Sequence, residues 1–118
     1  MSPVYADATL CAPGGRCRKV RAVVDTGADR TVVHPRVAQG LSRARRETVY
    51  VGGRHRFRAP VSTAILGLPR CTQHQLDVWI SPPPQPDADV LLGHDYLQLA
   101  NVVVDPARGV ARCRRRAR

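Results

Sequence analysis

The stretch "VVDTGADRTVV", residues 23–33, determines how the rest of the sequence is interpreted. Two valines lead into Asp25-Thr26-Gly27, and the β-branched residues Thr31, Val32 and Val33 follow within a few positions. β-Branched runs favour strands, and glycine allows the chain to turn tightly. Because apolar sequence resumes at once, we expect the Asp25 carboxylate to lie at the floor of a cleft between two strands.

Composition indicates one small domain. The chain has 118 residues, of which 43% are hydrophobic and 4% aromatic, so its core must consist mainly of Val, Leu, Ala and Ile. One domain of ordinary size accounts for this length. Because a domain this small buries a limited share of its surface, association with a second subunit would help to stabilise it.

Charge is concentrated at the C-terminus. The formal net charge is +10, and five arginines lie in the final "RCRRRAR". We expect a protein domain over residues 1–111 and a solvated, disordered basic tail over 112–118. Contact between this tail and a nucleic acid is a weaker alternative, because motifs that read bases are absent.

The cysteines and histidines do not form a metal-binding pattern. Cys11, Cys17, Cys71 and Cys113 include no CxxC pair, and no histidine stands near them at zinc-ligand spacing. Neither a signal peptide nor an apolar run long enough to span a membrane is visible. These features predict a soluble, cytoplasmic protein with free thiols, although a disulfide between Cys11 and Cys17 remains an alternative.

Short strands separated by turns run along the whole chain. Alternation in "CRKVRAVVD" places Val20, Ala22 and Val24 on one face, and two strands flanking Gly52–Gly53 form the strongest hairpin signal. Trp79 is expected in the core, and Asp87 and Asp89 in a solvated, extended loop. The pattern predicts an all-β barrel or sandwich. Further strands are predicted over 4–10, 31–35, 59–68, 75–81, around 90 and in a last hairpin over 101–113.

Two motifs resemble the signatures of the retropepsin-like, or retroviral-type, aspartic proteases. The first is Asp-Thr-Gly-Ala at 25–28, and the second is "VLLGHDYL" at 90–97, where apolar residues and a glycine lead into a short helix. The resemblance covers nearly the whole chain. It implies a single-domain closed β-barrel, the acid protease fold, with one short C-terminal helix. The sequence beyond that helix makes the chain closer to cellular and bacterial members, so its dimer interface need not use interleaved termini.

The resemblance implies an aspartic endopeptidase, a hydrolase without cofactor or metal. Hydrolysis then needs one group that takes a proton from water and another that gives a proton to the amide. Two adjacent carboxyls can share one proton and do both, an effect for which aspartic proteases are the standard example. Because this chain has one Asp-Thr-Gly, the second carboxylate must come from Asp25 of another copy. A two-fold homodimer acting on a peptide or protein substrate is therefore expected, with no membrane partner.

The resemblance also assigns roles to residues near Asp25. Asp25, Thr26 and Gly27 are the catalytic residues, with Thr26 hydrogen-bonding across the dimer axis. Ala28 and Asp29 would bind the substrate as an added strand.

More distant residues would complete the site. Gly52 and Gly53 would form a flap that closes over the substrate, and Leu91 and Leu92 would line its side-chain pockets. Gly93, His94 and Asp95 would support the active-site turn from below. His94 stands where retroviral members usually have arginine.

A second function is compatible with the same motifs. Asp25 could be an ordinary turn residue, since aspartate favours turns for local reasons. The chain would then be a catalytically silent dimerisation or peptide-binding module with the retropepsin fold. The intact Asp25-Thr26-Gly27 motif favours the enzyme.

Overall fold

A computed structural model describes residues 3–42, 45–51 and 55–114 of the chain. It contains nine strands, one 3₁₀ turn and one α-helix within these residues. In chain order they are β1 (Val4–Cys11), β2 (Cys17–Val24), β3 (Val32–Val33), the 3₁₀ turn (Pro35–Val37), β4 (Arg45–Val51), β5 (His55–Gly67), β6 (His74–Ile80), β7 (Val90–Leu92), α1 (His94–Leu99), β8 (Val102–Asp105) and β9 (Val110–Cys113).

Six strands close into a barrel. The strand order is β1-β2-β7-β3-β6-β5, and β1 pairs with β5 to complete the ring. β4 extends the sheet outside the ring by pairing with β5, and β8 and β9 form a separate hairpin. This architecture confirms the all-β closed barrel with one short helix and excludes the sandwich.

The core follows the alternation of β2. Val20, Ala22 and Val24 are buried inside the barrel, whereas Lys19 and Arg21 are exposed. Val23 points the other way and is also buried, in a small second cluster with Ala88 and Leu91. Both faces of the strand that leads to Asp25 are therefore covered, which fixes its position.

The segment from 55 to 67 is one strand, not the two that the sequence pattern predicts. β5 runs unbroken through Pro60, which pairs with Arg46 of β4. The pairing of β5 with β6 begins only at Val61, so at Pro60 the strand is paired on one side only, the kind of sheet-edge position where proline is tolerated.

Two other segments differ from their predictions. The strand predicted over 31–35 is limited to Val32–Val33, because Pro35 begins a 3₁₀ turn in which the His34 ring accepts a hydrogen bond from Arg36 N. The loop before β7 is not simply extended. It turns where Ala88 N donates to Gln85 O at 3.1 Å.

The expectation of free thiols was wrong, because all four cysteines are paired. Cys11 and Cys17 face each other at the end of the β1–β2 ladder with their Cα atoms 4.0 Å apart, and they form the disulfide that the sequence left as an alternative. Cys71 and Cys113 form a second disulfide with Cα atoms 5.6 Å apart. These two cysteines are 42 residues apart, and no pattern in the sequence predicted that they pair.

The C-terminal hairpin lies where the sequence predicts it. β9 ends at Cys113, and Arg114 N then donates to Asn101 O at 3.0 Å. The basic tail expected over 112–118 therefore overlaps the last strand. α1 has only six residues, and no helix in the described ranges is long and apolar enough to cross a bilayer.

Candidate active site

Asp25 lies in the turn that follows β2. Its backbone N–H donates to Leu92 O at 3.0 Å, which continues the parallel pairing of β2 with β7. Its carboxylate Oδ1 accepts a hydrogen bond from Gly27 N at 2.9 Å, and Ala28 N donates to the Asp25 carbonyl oxygen at 3.3 Å. The half-buried side chain is thus oriented by its own loop. Its second oxygen, Oδ2, has no hydrogen-bond partner among the described residues.

Gly93 lies directly beneath this loop. A Cβ at Gly93 would lie 2.6 Å from the Arg30 carbonyl carbon, 2.7 Å from the Arg30 oxygen and 3.0 Å from the Ala28 oxygen. These are fixed backbone atoms, so only glycine fits here. The contact allows α1 to hold the loop, with His94 N donating to Ala28 O at 2.7 Å and Asp95 N to Asp29 O at 3.3 Å.

A buried hydrogen-bond network, the Thr31–Asp95 network, fixes the far end of the loop. Asp95 Oδ1 accepts from the Thr31 hydroxyl at 2.7 Å and from Tyr96 N at 2.8 Å, while Oδ2 accepts from Thr31 N at 3.0 Å. Thr31 is fully buried, and its hydroxyl also accepts from Gly93 N at 3.1 Å. Sequence reasoning placed Asp95 in a supporting role but missed Thr31, whose only signal was a polar residue entering an apolar strand.

The remaining residues named from the sequence divide into surface and core. Thr26 and Asp29 are exposed and Ala28 is half-buried. Leu91 and Leu92 are 4% and 0% exposed, so their side chains lie inside the protein, on the strand that pairs with Val23 and Val24 before the turn. His94 is exposed at the start of α1, where its backbone N–H, described above, makes the contact with the loop.

Gly52 and Gly53, expected at the tip of a flap, lie outside the described residues. The two arms of the predicted hairpin are described, and β4 pairs with β5 up to Val51 opposite His55. The predicted hairpin arms are therefore present on either side of residues 52–54.

Two cavities flank the Asp25 turn. One, of about 450 Å³, has Asp25, Thr26 and Val24 in its lining, and the other, of about 500 Å³, has Thr26 and His94. Val104 of β8 lines both. The C-terminal hairpin is therefore next to the Asp25 turn, a position that sequence reasoning did not predict.

A second charged cluster, here called the Glu47 cluster, ties β4 to the same loop. Glu47 Oε2 accepts from the Arg30 guanidinium and from the Trp79 indole N–H, both at 2.9 Å, and Oε1 accepts from Arg45 at 3.0 Å. These hydrogen bonds, from Trp79 first and then Arg45, lower the pKa of Glu47. Trp79 was expected in the core but is only half-buried. Its indole N–H donates to Glu47, and the Arg30 guanidinium carbon lies over its ring, 4.9 Å from the ring centroid.

Asp89 is also more than a solvated loop residue. Its carboxylate accepts from Arg21 N at 2.8 Å and from Arg36 Nε at 2.9 Å, which anchors the loop before β7 to β2. Burial raises the pKa of Asp89, but the hydrogen bonds from Arg21 and Arg36 outweigh it, and the pKa lies below its ordinary value. Asp87 is exposed, as expected, and accepts from the Tyr5 hydroxyl at 3.0 Å.

A closed six-stranded barrel with one Asp-Thr-Gly turn resting on a glycine-helix element defines a retropepsin-like chain. The model of the gag-polyprotein putative aspartyl protease family matches residues 15–99, which is well over half of the sequence. The chain therefore belongs to this family. A search of curated proteins found no match.

Proposed function

We propose that the protein is an aspartic endopeptidase that works as a homodimer. The observation that carries this proposal is the geometry of Asp25. One carboxylate oxygen accepts from Gly27 N at 2.9 Å, while the other has no partner among the described residues. A carboxylate that is oriented in this way, on a loop held from below by Gly93 and Asp95, is prepared for proton transfer.

The second carboxylate would be supplied by Asp25 of another copy. In the proposed reaction one Asp25, ionised, takes a proton from water as the water oxygen attacks the peptide carbonyl carbon. The other Asp25, protonated, donates its proton to the carbonyl oxygen. The tetrahedral intermediate then collapses, the C–N bond breaks, and the carboxyl that took the proton from water gives it to the leaving amine nitrogen. Because the reaction needs one ionised and one protonated carboxyl, activity should follow a bell-shaped pH profile.

The surface beside Asp25 suits a second copy of the chain. Val102, Val103 and Val104 of β8 are only half-buried, and Val110 of β9 is 43% exposed. Because Val104 lines both cavities next to Thr26, a partner that covers this hairpin would also approach Asp25. Burying these side chains would favour association.

Substrate would bind along the loop after Asp25. The Ala28 and Asp29 carbonyl oxygens already accept hydrogen bonds from α1. The backbone N–H of Asp29 and its exposed carboxylate are then the groups of this residue that can contact a peptide added as a strand. Gly52 and Gly53 would cover it from above.

The test is a peptide-library cleavage assay that compares wild type with Asp25→Asn. The fold should be unchanged and cleavage abolished, whereas Asp7→Asn, which alters an exposed carboxylate on β1, should retain wild-type activity. A chelator should have no effect. Cleavage that survives Asp25→Asn, or that is lost with the chelator, would exclude the proposed mechanism.

Assembly can be tested in parallel by sedimentation over a dilution series. Specific activity should fall as protomers separate, and excess Asp25→Asn chain should inhibit the wild type by forming mixed dimers. A protein that stays monomeric and keeps constant specific activity would contradict the shared site. A stable dimer that cleaves no peptide would instead favour the catalytically silent binding module.

A further inference from the structure

A concave site separate from the two cavities beside Asp25 lies where the turn after β5, the end of α1 and strand β9 meet. It has a volume of about 760 Å³, and Asp25 and Thr26 do not line it. Three arginines, Arg70, Arg112 and Arg114, line this site, which we call the arginine cavity. Volumes in this range are typical of cavities that hold small-molecule ligands.

No carboxylate side chain is among the described residues that line the arginine cavity. All nine acidic side chains of the sequence belong to the described ranges, and five of them form the six ion pairs of those ranges. Their partners are Arg21, Arg30, Arg36, Arg45 and Arg108. The three cavity arginines take part in none of these pairs, so the cavity concentrates positive charge that its own lining does not neutralise.

The Cys71–Cys113 disulfide joins the two segments that carry these arginines. Arg70 precedes Cys71, while Arg112 and Arg114 flank Cys113, so one covalent bond holds the backbone of all three near the cavity. Arrangement before binding reduces the entropy lost when a ligand arrives.

Two residues of the cavity lining have positive φ. Arg70, with φ 63°, lies in the turn after β5. Asn101, with φ 54°, directly follows Ala100, the C-cap of α1, where this conformation is common. These two turns therefore define the border of the arginine cavity.

We propose that the arginine cavity binds a compact ligand that carries a phosphate group. The planar guanidinium fork matches phosphate oxygens in pairs, and several such forks around one anion give strong, charge-assisted hydrogen bonds. Thr72 and His74 add polar groups, joined by a 2.8 Å hydrogen bond, and the exposed Leu99 adds apolar surface. This site does not depend on the chemistry proposed for Asp25.

The test is isothermal titration of the oxidised full chain with pyrophosphate at fixed ionic strength, with sodium chloride as the balancing salt. One saturable site per chain is expected. Each arginine removed should weaken binding by about 10-fold, so Arg70→Gln/Arg112→Gln should weaken it by about 100-fold. Arg112→Gln/Arg114→Gln leaves the Arg70 turn untouched and should have a similar effect.

The matched control is Arg16→Gln/Arg108→Gln, which removes the same charge from two exposed arginines outside the cavity. Its affinity for pyrophosphate should equal that of wild type. Equal weakening in the control, unchanged binding in Arg70→Gln/Arg112→Gln, or no saturable binding by wild type would overturn the proposal.

Titration with a single-stranded oligonucleotide distinguishes a compact phosphate ligand from the phosphates of a nucleic acid. Binding to a compact ligand predicts that pyrophosphate affinity depends on the cavity arginines while oligonucleotide affinity does not. If the oligonucleotide bound more tightly than pyrophosphate and lost its affinity in Arg70→Gln/Arg112→Gln, the cavity would be part of a nucleic-acid surface and the compact ligand would be excluded.

Discussion

Replacing Thr31 by valine should show how strongly the Thr31–Asp95 network stabilises the protein. The substitution keeps the β-branched shape and removes one hydroxyl from a fully buried position. That hydroxyl donates to Asp95 Oδ1 at 2.7 Å and accepts from Gly93 N at 3.1 Å. Loss of a hydrogen bond to a charged group, together with a buried N–H left unpaired, predicts a decrease of about 3 to 5 kcal/mol in the free energy of unfolding.

Thr63→Val is the matched control. The Thr63 hydroxyl also donates to an aspartate, Asp77, but at 3.3 Å and near the surface. Its removal should lower the free energy of unfolding by less than about 0.5 kcal/mol.

Urea unfolding, followed by far-ultraviolet circular dichroism and by the fluorescence of Trp79, measures both variants. Protein concentration must be the same in each experiment, because formation of the proposed dimer would contribute to the measured stability. If the two variants differed by less than about 0.5 kcal/mol, the network would not be the main support of the Asp25 loop.

Three further predictions concern other parts of the structure. Gly93→Ala should lower kcat/KM of the proposed peptide cleavage by about 100-fold, because it displaces the Asp25 loop. Gly67→Ala, whose new Cβ meets the Gln73 side chain at 2.7 Å, should show little change, and equal activities of the two variants would contradict this. The pKa of Asp89 is lowered in the folded protein, so its contribution to stability is present above 3.8, its pKa in the unfolded chain, and is lost as the pH falls through the folded-state pKa. Urea unfolding across pH should show a smaller acid-dependent loss of stability in Asp89→Asn, and an unchanged loss would exclude this contribution of Asp89. Cys71→Ser/Cys113→Ser should weaken pyrophosphate binding in calorimetry, whereas Cys11→Ser/Cys17→Ser should not, and equal effects would show that the disulfide does not organise the arginine cavity.

Local patterns in the sequence were sufficient to predict most of the barrel. The alternation of Val20, Ala22 and Val24 correctly identified the inner face of β2, and the strands on either side of Gly52–Gly53 formed as expected. These predictions succeeded because the period of a strand and the glycines of a turn are properties of neighbouring residues. The Asp-Thr-Gly turn was identifiable for the same reason.

The features that the sequence did not predict depend on residues distant in the chain. Cys71 and Cys113 meet only because the β8–β9 hairpin folds back beside the turn after β5. The largest cause of the lowered pKa of Glu47 is the hydrogen bond from Trp79, which is 32 residues away in the chain. Two separate strands were predicted before and after residue 59, but β5 is continuous there, and it tolerates Pro60 because only β4 pairs with it at that position.

The parallel pairing of β2 with β7 has a consequence for how the protein folds. Arg21 and Asp89, which join these two elements, are 68 residues apart in sequence. Contacts between residues so distant form slowly, because a long loop must close before they stabilise the chain. The backbone N–H of Asp25 can donate to Leu92 O only at that stage. We therefore expect the proposed catalytic activity to arise among the last steps of folding, after the local hairpins have formed, so that partly folded chains would lack it.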